Sequence, residues 1–262
     1  MTTLEPSRTA LPALARPLEM RDLANALKAG WRDFAAQPVY GLFFAAIFTI
    51  SGIVLSYFLW TRGEWAWLIP AAAGFPILAP FVAVGLYEVS RRRETGEPSS
   101  WSAVLGAVRG RGDEQILSMG VIVFVAFGFW VIVAHAISAI FLAEAGAGSE
   151  SLSFLVSSDG LAMLAVGSLF GAAMALAFYA ITVVSLPMLV DRDVDFMTAI
   201  ITSLRAFQAN TVVLLVWAGL IAAALFVSLA LFFVGLLVVL PVLAHATWHL
   251  YRRAVEPDPN RM

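Results

Sequence analysis

The sequence contains no cysteine, which excludes disulfides, thiolate metal sites, iron–sulfur clusters and covalent c-type haem attachment. Charge is scarce as well. Asp, Glu, Lys and Arg make up 13% of the 262 residues, against about a quarter in a typical soluble domain. Histidine occurs three times, fewer than the inward-facing imidazoles that a haem–copper catalytic subunit needs by comparison with that well-known class. No Gly-rich phosphate loop, GxSxG elbow or HExxH helix is present, and no two carboxylates are placed to share a cavity, so no enzyme activity and no cofactor are expected. A formal net charge of −2 gives no reason to expect nucleic acid as a partner. Residues 1–21 lack a continuous apolar core and read as a flexible polar tail, not a cleaved signal peptide. Residues 254–262, with Glu256-Pro257-Asp258-Pro259-Asn260, read as a second flexible tail.

What is abundant is apolar: 61% of residues are hydrophobic, arranged in long uncharged runs. Residues 39–60, 65–87, 116–143 and 161–190 are each long enough to cross about 30 Å of hydrocarbon as a helix. The run 211–251 would extend roughly 60 Å as one helix, so it must fold back, giving spans at about 211–228 and 229–251 with a turn near Ser228. The fold class expected is therefore an all-α membrane protein of six transmembrane helices within residues 22–253. The basic residues support an even count. With the N-terminus inside, fifteen of sixteen fall on the cytoplasmic side, and Arg62 alone lies outside. Both termini are expected in the cytoplasm of a bacterium whose inner membrane holds the protein.

Three cytoplasmic segments carry amphipathic helical patterns before odd-numbered spans, at about 22–36, 99–110 and 194–209. Leu23, Leu27, Trp31 and Phe34 share one face, and a shift of 173 maps them onto Phe196, Ile200, Leu204 and Phe207. The same shift carries Asp22 to Asp195 and Gln37 to Asn210; a weaker middle copy contains Val104, Val108 and Arg109. Among even spans, a shift of 161 maps Pro80 onto Pro241 and Glu88 onto His249. The chain thus reads as three repeats of an interfacial helix plus a transmembrane hairpin.

Gly30-Trp31-Arg32-Asp33-Phe34, Ala79-Pro80-Phe81 running into Gly85-Leu86-Tyr87-Glu88, Pro187-Met188-Leu189 before Asp191-Arg192-Asp193, and His245 through Arg252 after Pro241 carry a resemblance. So arranged, residues 20–253 resemble the bacterial predicted integral membrane proteins of unknown function (domain of unknown function 2189), some labelled cytochrome c oxidase-related. The resemblance implies a membrane location and brings no established activity.

Candidate site residues follow from position. His245 and His249 lie i, i+4 on one helical face, with Glu88 as the third group a metal would need. The simpler reading places both rings at the interface beside Trp248 and Tyr251. Gly167, Gly171 and Ala175 form a small-residue stripe for close helix packing. Arg91, Arg92 and Arg93 with Arg109 and Arg111 form the densest positive patch, suited to anionic lipid or an acidic partner. Trp60, Trp65 and Trp67 mark the outer interface, and Trp31, Trp101 and Trp248 the inner one. No ionisable residue sits near the midplane, as a coupled transporter normally requires. The sequence therefore favours a non-catalytic accessory, assembly or interaction component, embedded in the bilayer and packed against other integral membrane proteins, such as a respiratory or other energy-transducing complex. A transporter or channel for a small solute is the first alternative, and a metal- or haem-binding redox protein the second.

Overall fold

The computed structural model describes residues 17–63, 83–107, 115–145 and 152–255, and among them the only regular structure is helical. The helices are α1 (Met20–Ala36), α2 (Pro38–Thr61), α3 (residues 83–95), α4 (Trp101–Gly106), α5 (Gln115–Ala145), α6 (Leu152–Leu155), α7 (Ser158–Asp191), α8 (Phe196–Ala209), α9 (Thr211–Ala230) and α10 (Leu236–Ala254). Polar side chains start several of them. Ser100, Ser157 and Asp195 each accept a backbone N–H from the following first turn, of Ala103, Gly160 and Thr198 respectively. At the α1–α2 junction Gln37 leaves helical backbone (φ −139°, ψ 60°) and Pro38 opens α2, where its missing N–H costs nothing. The α8–α9 junction breaks in the same way at Asn210 (φ −130°, ψ 31°), 173 positions later.

Four helices, α2, α5, α7 and α9, are long and apolar enough to cross a membrane. They are apolar all round, as a lipid-bathed helix must be, and side chains such as Ile50, Tyr57, Phe124, Leu169 and Phe226 are open. The second expected span, 65–87, lies mainly outside the described residues; its last residues form the start of α3. The stretch expected as the sixth holds α10, a shorter helix with Arg252 and Arg253 in its last turn. The turn between α9 and α10 occupies 231–235, a few residues beyond Ser228. It takes left-handed backbone at Phe232 (φ 53°) and Phe233 (φ 66°), which apolar residues adopt only when neighbours hold them. The Thr49 hydroxyl donates to the Phe233 carbonyl at 3.3 Å, and the Phe233 ring lies over Gly52.

The main core sits at one end of the bundle, where α1, α3, α8, α10 and the end of α7 meet around Leu86, Met188, Trp217, Trp248 and Tyr251. Residues 17–21, read from sequence as the end of a flexible tail, lead directly into α1, and of them Leu18 alone joins this core. Leu18 is buried and its N–H donates to Asn210 Oδ1 at 2.7 Å, so the start of α1 is tied to the α8–α9 junction.

The short helices seat on longer ones through small residues. On α1, an added Cβ at Gly30 would lie 2.6 Å from both the Val242 carbonyl and the Ala246 N–H of α10. On α8, Ser203 occupies the position 173 residues later: its hydroxyl donates to the Ala180 carbonyl of α7 at 2.7 Å and accepts from Val184 N–H at 3.2 Å. In both pairs the contact is with the carbonyl of residue i and the N–H of residue i+4. On α4, Val104 is fully buried and approaches Gly85 of α3.

Helices α5 and α7 form a hairpin with its own apolar cluster of Val123, Ala126, Trp130 and Ala134 against Met174 and Phe178. The small-residue stripe is only partly used there. Gly171 receives the Trp130 ring, and a Cβ added to it would lie 2.9 Å from that ring, whereas one at Gly167 meets open space. Gly171→Leu is therefore expected to cost about 1–3 kcal/mol by overpacking and Gly167→Leu close to nothing, read as paired shifts in detergent melting temperature.

Candidate functional site

The ionisable side chains gather at the core end of the bundle, and most are turned toward one another. Asp33, on the line of α1 that also carries the buried Ala26 and Gly30, faces α3 and α10 and is 6% exposed. Its Oδ2 accepts from the Ser90 hydroxyl at 2.6 Å and from His249 Nε2 at 2.8 Å, and its Oδ1 accepts from Arg93 Nε at 2.9 Å. Ser90 Oγ also lies 2.7 Å from His245 Nδ1. Because the Ser90 proton is committed to Asp33, the network assigns the proton on this second bond to Nδ1 of His245. Burial alone would raise the Asp33 carboxyl, but hydrogen bonds from His249 and Ser90, attraction to His249 and the bond from Arg93 outweigh it, and the group is lowered from 3.8 to about 2.

Two further clusters adjoin this one. Glu88 accepts both Nε and a terminal nitrogen of Arg91 at 2.7 Å in a forked pair, and Arg92 Nε at 2.7 Å. Arg91 also reaches Glu97 at 3.1 Å, and that hydrogen bond holds the Glu97 carboxyl below its ordinary value. At the end of α7, Asp191 accepts from the Tyr251 hydroxyl at 2.8 Å and from Arg252 at 3.2 Å. Glu94 of α3 accepts from Trp248 Nε1 and Arg252 Nε, both at 3.1 Å. Asp22, on the same side of α1 as Asp33, pairs with Arg253 at 3.4 Å. These bonds fasten the ends of α3, α7 and α10 and the inner face of α1 into one polar joint.

The joint changes the meaning of several expected site residues. Glu88 is turned to two arginines and not to the histidines, while His245 and His249 engage Ser90 and Asp33; among the described residues no group of three or more His, Asp or Glu side chains is arranged to hold a metal ion. Arg91, Arg92 and Arg93 are neutralised from within by Glu88, Glu97 and Asp33, so they do not form an open positive patch. Arg109 and Arg111 lie outside the described residues, as do Trp65 and Trp67. Trp248 is a correction. A tryptophan at the end of an apolar run looks like an interface anchor, yet this one is fully buried and held by Glu94. Trp31, Trp60 and Trp101 are exposed, and Trp101 also packs against Tyr40 and Phe43. Gly171 contacts Trp130, as described above.

Asp33, Ser90 and Glu94 did not stand out as site residues in the sequence. The signal for Asp33 was its register with Ala26 and Gly30, seven and three positions before it. Chemically the joint holds and does not present. Ser90 is fully buried between a carboxylate and an imidazole, so its oxygen is not offered to a substrate. A cleft of about 340 Å³ opens beside the neighbouring Glu88 cluster, where Glu88, Arg91 and Arg92 face Ser102, Ala103 and Gly106 of the α4 segment.

No curated protein and no solved structure matches the chain. Residues 68–191, which run through α3, α4, α5 and the whole of α7, match the model of a family described as predicted integral membrane protein (DUF2189), and with four apolar helices of membrane-crossing length the chain is an integral membrane protein.

Proposed function

We propose that the protein is a non-catalytic, multi-pass component of the bacterial inner membrane that docks laterally on other integral membrane proteins, as an accessory or assembly subunit of a larger complex such as an energy-transducing one. The observation that carries this reading is the α5–α7 hairpin. Its helices pack on each other through a small cluster of their own, and the outer faces, with Phe124, Phe129, Ile132, Leu169 and Phe170, stand open beside the main core. Such a face is covered by lipid or by other helices, and the exposed small residues Ala172 and Ala173 beside Leu169 and Phe170 leave room for close helix contact. The ionisable groups of the joint, meanwhile, are engaged in holding helix ends together.

The membrane arrangement proposed with it has six spans, three repeats and both termini in the cytoplasm. The recurrent break at Gln37 and Asn210 and the matched seats of Gly30 and Ser203 support the repeat. Reporter fusions after Gly63, after Ala145 and at the two termini test the topology: the first two are expected outside and the termini inside, and termini on opposite sides overturn it. Purification at native expression in mild detergent, followed by mass spectrometry, tests the role. Stoichiometric co-purifying membrane subunits are the expected result. Isolated protein that instead carries solute flux in liposomes, or a stoichiometric metal or haem band, overturns it.

A further inference from the structure

Helix α1 separates its charges by sign. Its acids, Asp22 and Asp33, are buried against Arg253 and against Arg93 and His249. Its bases, Arg21, Lys28 and Arg32, are all exposed. At about 100° per residue these three fall within roughly 40° of one another, on the side opposite Ala26, Gly30 and Asp33. Lys28 and Arg32 have no ion-pair partner among the described residues, and Arg21 shares only the exposed Glu19. Between the buried face and this basic row lies an apolar edge of Met20, Leu27 and Trp31, of which Met20 is 49% and Trp31 53% exposed.

The order around the helix is therefore protein, apolar edge, cations. A helix lying at a bilayer surface needs that order, because the apolar edge enters the acyl boundary while adjacent cations rise to the level of the phosphates. We propose that the outer face of α1 binds the headgroups of anionic phospholipids in the protein's own membrane, and that Lys28 and Arg32 with Arg21 beside them are the contacting groups. The Arg91–Arg93 cluster, which the charge pattern alone favoured for this task, is satisfied internally by Glu88, Glu97 and Asp33. The row on α1 is not. An acidic protein partner fits less well, since the flanking edge of Trp31, Leu27 and Met20 is shaped for acyl chains and belongs to the same continuous face.

The test is native mass spectrometry of the full chain released from nanodiscs of phosphatidylglycerol and phosphatidylcholine in equal amounts, counting each lipid retained. Wild type is expected to retain phosphatidylglycerol preferentially, with the preference declining as salt is raised. Each of Arg21→Gln, Lys28→Gln and Arg32→Gln is expected to lower the preference, by up to about fivefold per side chain as for a basic group near an anionic surface. Arg62→Gln, at the far end of α2, serves as the control and should leave it unchanged. These positions are exposed, and Lys28→Arg, which keeps the charge, should retain wild-type behaviour. A triple Gln variant with undiminished preference overturns the proposal. So does an equal loss from Arg62→Gln, or a wild-type preference that salt does not touch. Loss of a co-purifying acidic protein with lipid retention unchanged assigns the face to a protein and overturns it too.

Discussion

Gly30→Leu is expected to unseat α1. The Cβ that any substitution adds would lie 2.6 Å from the Val242 carbonyl and the Ala246 N–H, and these are backbone atoms of α10 that no rotamer change can withdraw. The helix must lift as a body, and Asp33, three residues on, would be drawn from Ser90, His249 and Arg93 together. The cost should exceed the 1–3 kcal/mol of ordinary overpacking, because a polar network is lost with the packing. The absence of cysteine supplies the measurement. A thiol introduced by Ala26→Cys, on the buried face of α1, should resist labelling in the wild-type background and react in the Gly30→Leu background. Continued protection would show that α1 is not held in the way described.

The second large effect is expected at Asp33. Asp33→Ala leaves Arg93, His249 and Ser90 facing a void, and removal of one partner from a buried ionic cluster costs about 3–5 kcal/mol. Arg93 and His249 are partly reached by solvent, so we expect about 3 kcal/mol, a fall of roughly 10 °C in melting temperature for a chain of this size. Asp33→Asn should fall between, since one carbonyl acceptor remains. The pH dependence follows in sign. A carboxyl lowered from 3.8 to about 2 adds stability that is complete above the upper value and disappears as pH falls toward the lower one. Wild type should therefore lose stability between pH 4 and 2 more steeply than Asp33→Ala, and parallel curves would remove Asp33 from the account.

The membrane character was legible because hydropathy over twenty residues is a property of composition alone. The correspondence of Gln37 with Asn210 was legible too, since one shift brings both into register with the apolar faces before them, and both residues lie at helix junctions. The joint was not. Asp33 stands next to Arg32 and near Lys28, and in one dimension its charge reads as part of a solvated face; only its partners on α3 and α10, at least 57 positions away, show that it points inward. Arg91, Arg92 and Arg93 misled for the same reason, as a run of like charge looks open until its carboxylates are placed. His245 and His249 share a helical face as expected, but which groups that face meets depends on how α1 and α3 lie against α10.

That α1 rests on α10 bears on how the molecule is made. An early helix whose seat is the last described helix cannot settle while the ribosome is still supplying the chain between them. Until α10 arrives, Asp22 and Asp33 have to remain hydrated at the bilayer surface, and the final insertion closes the structure as a clasp closes a band.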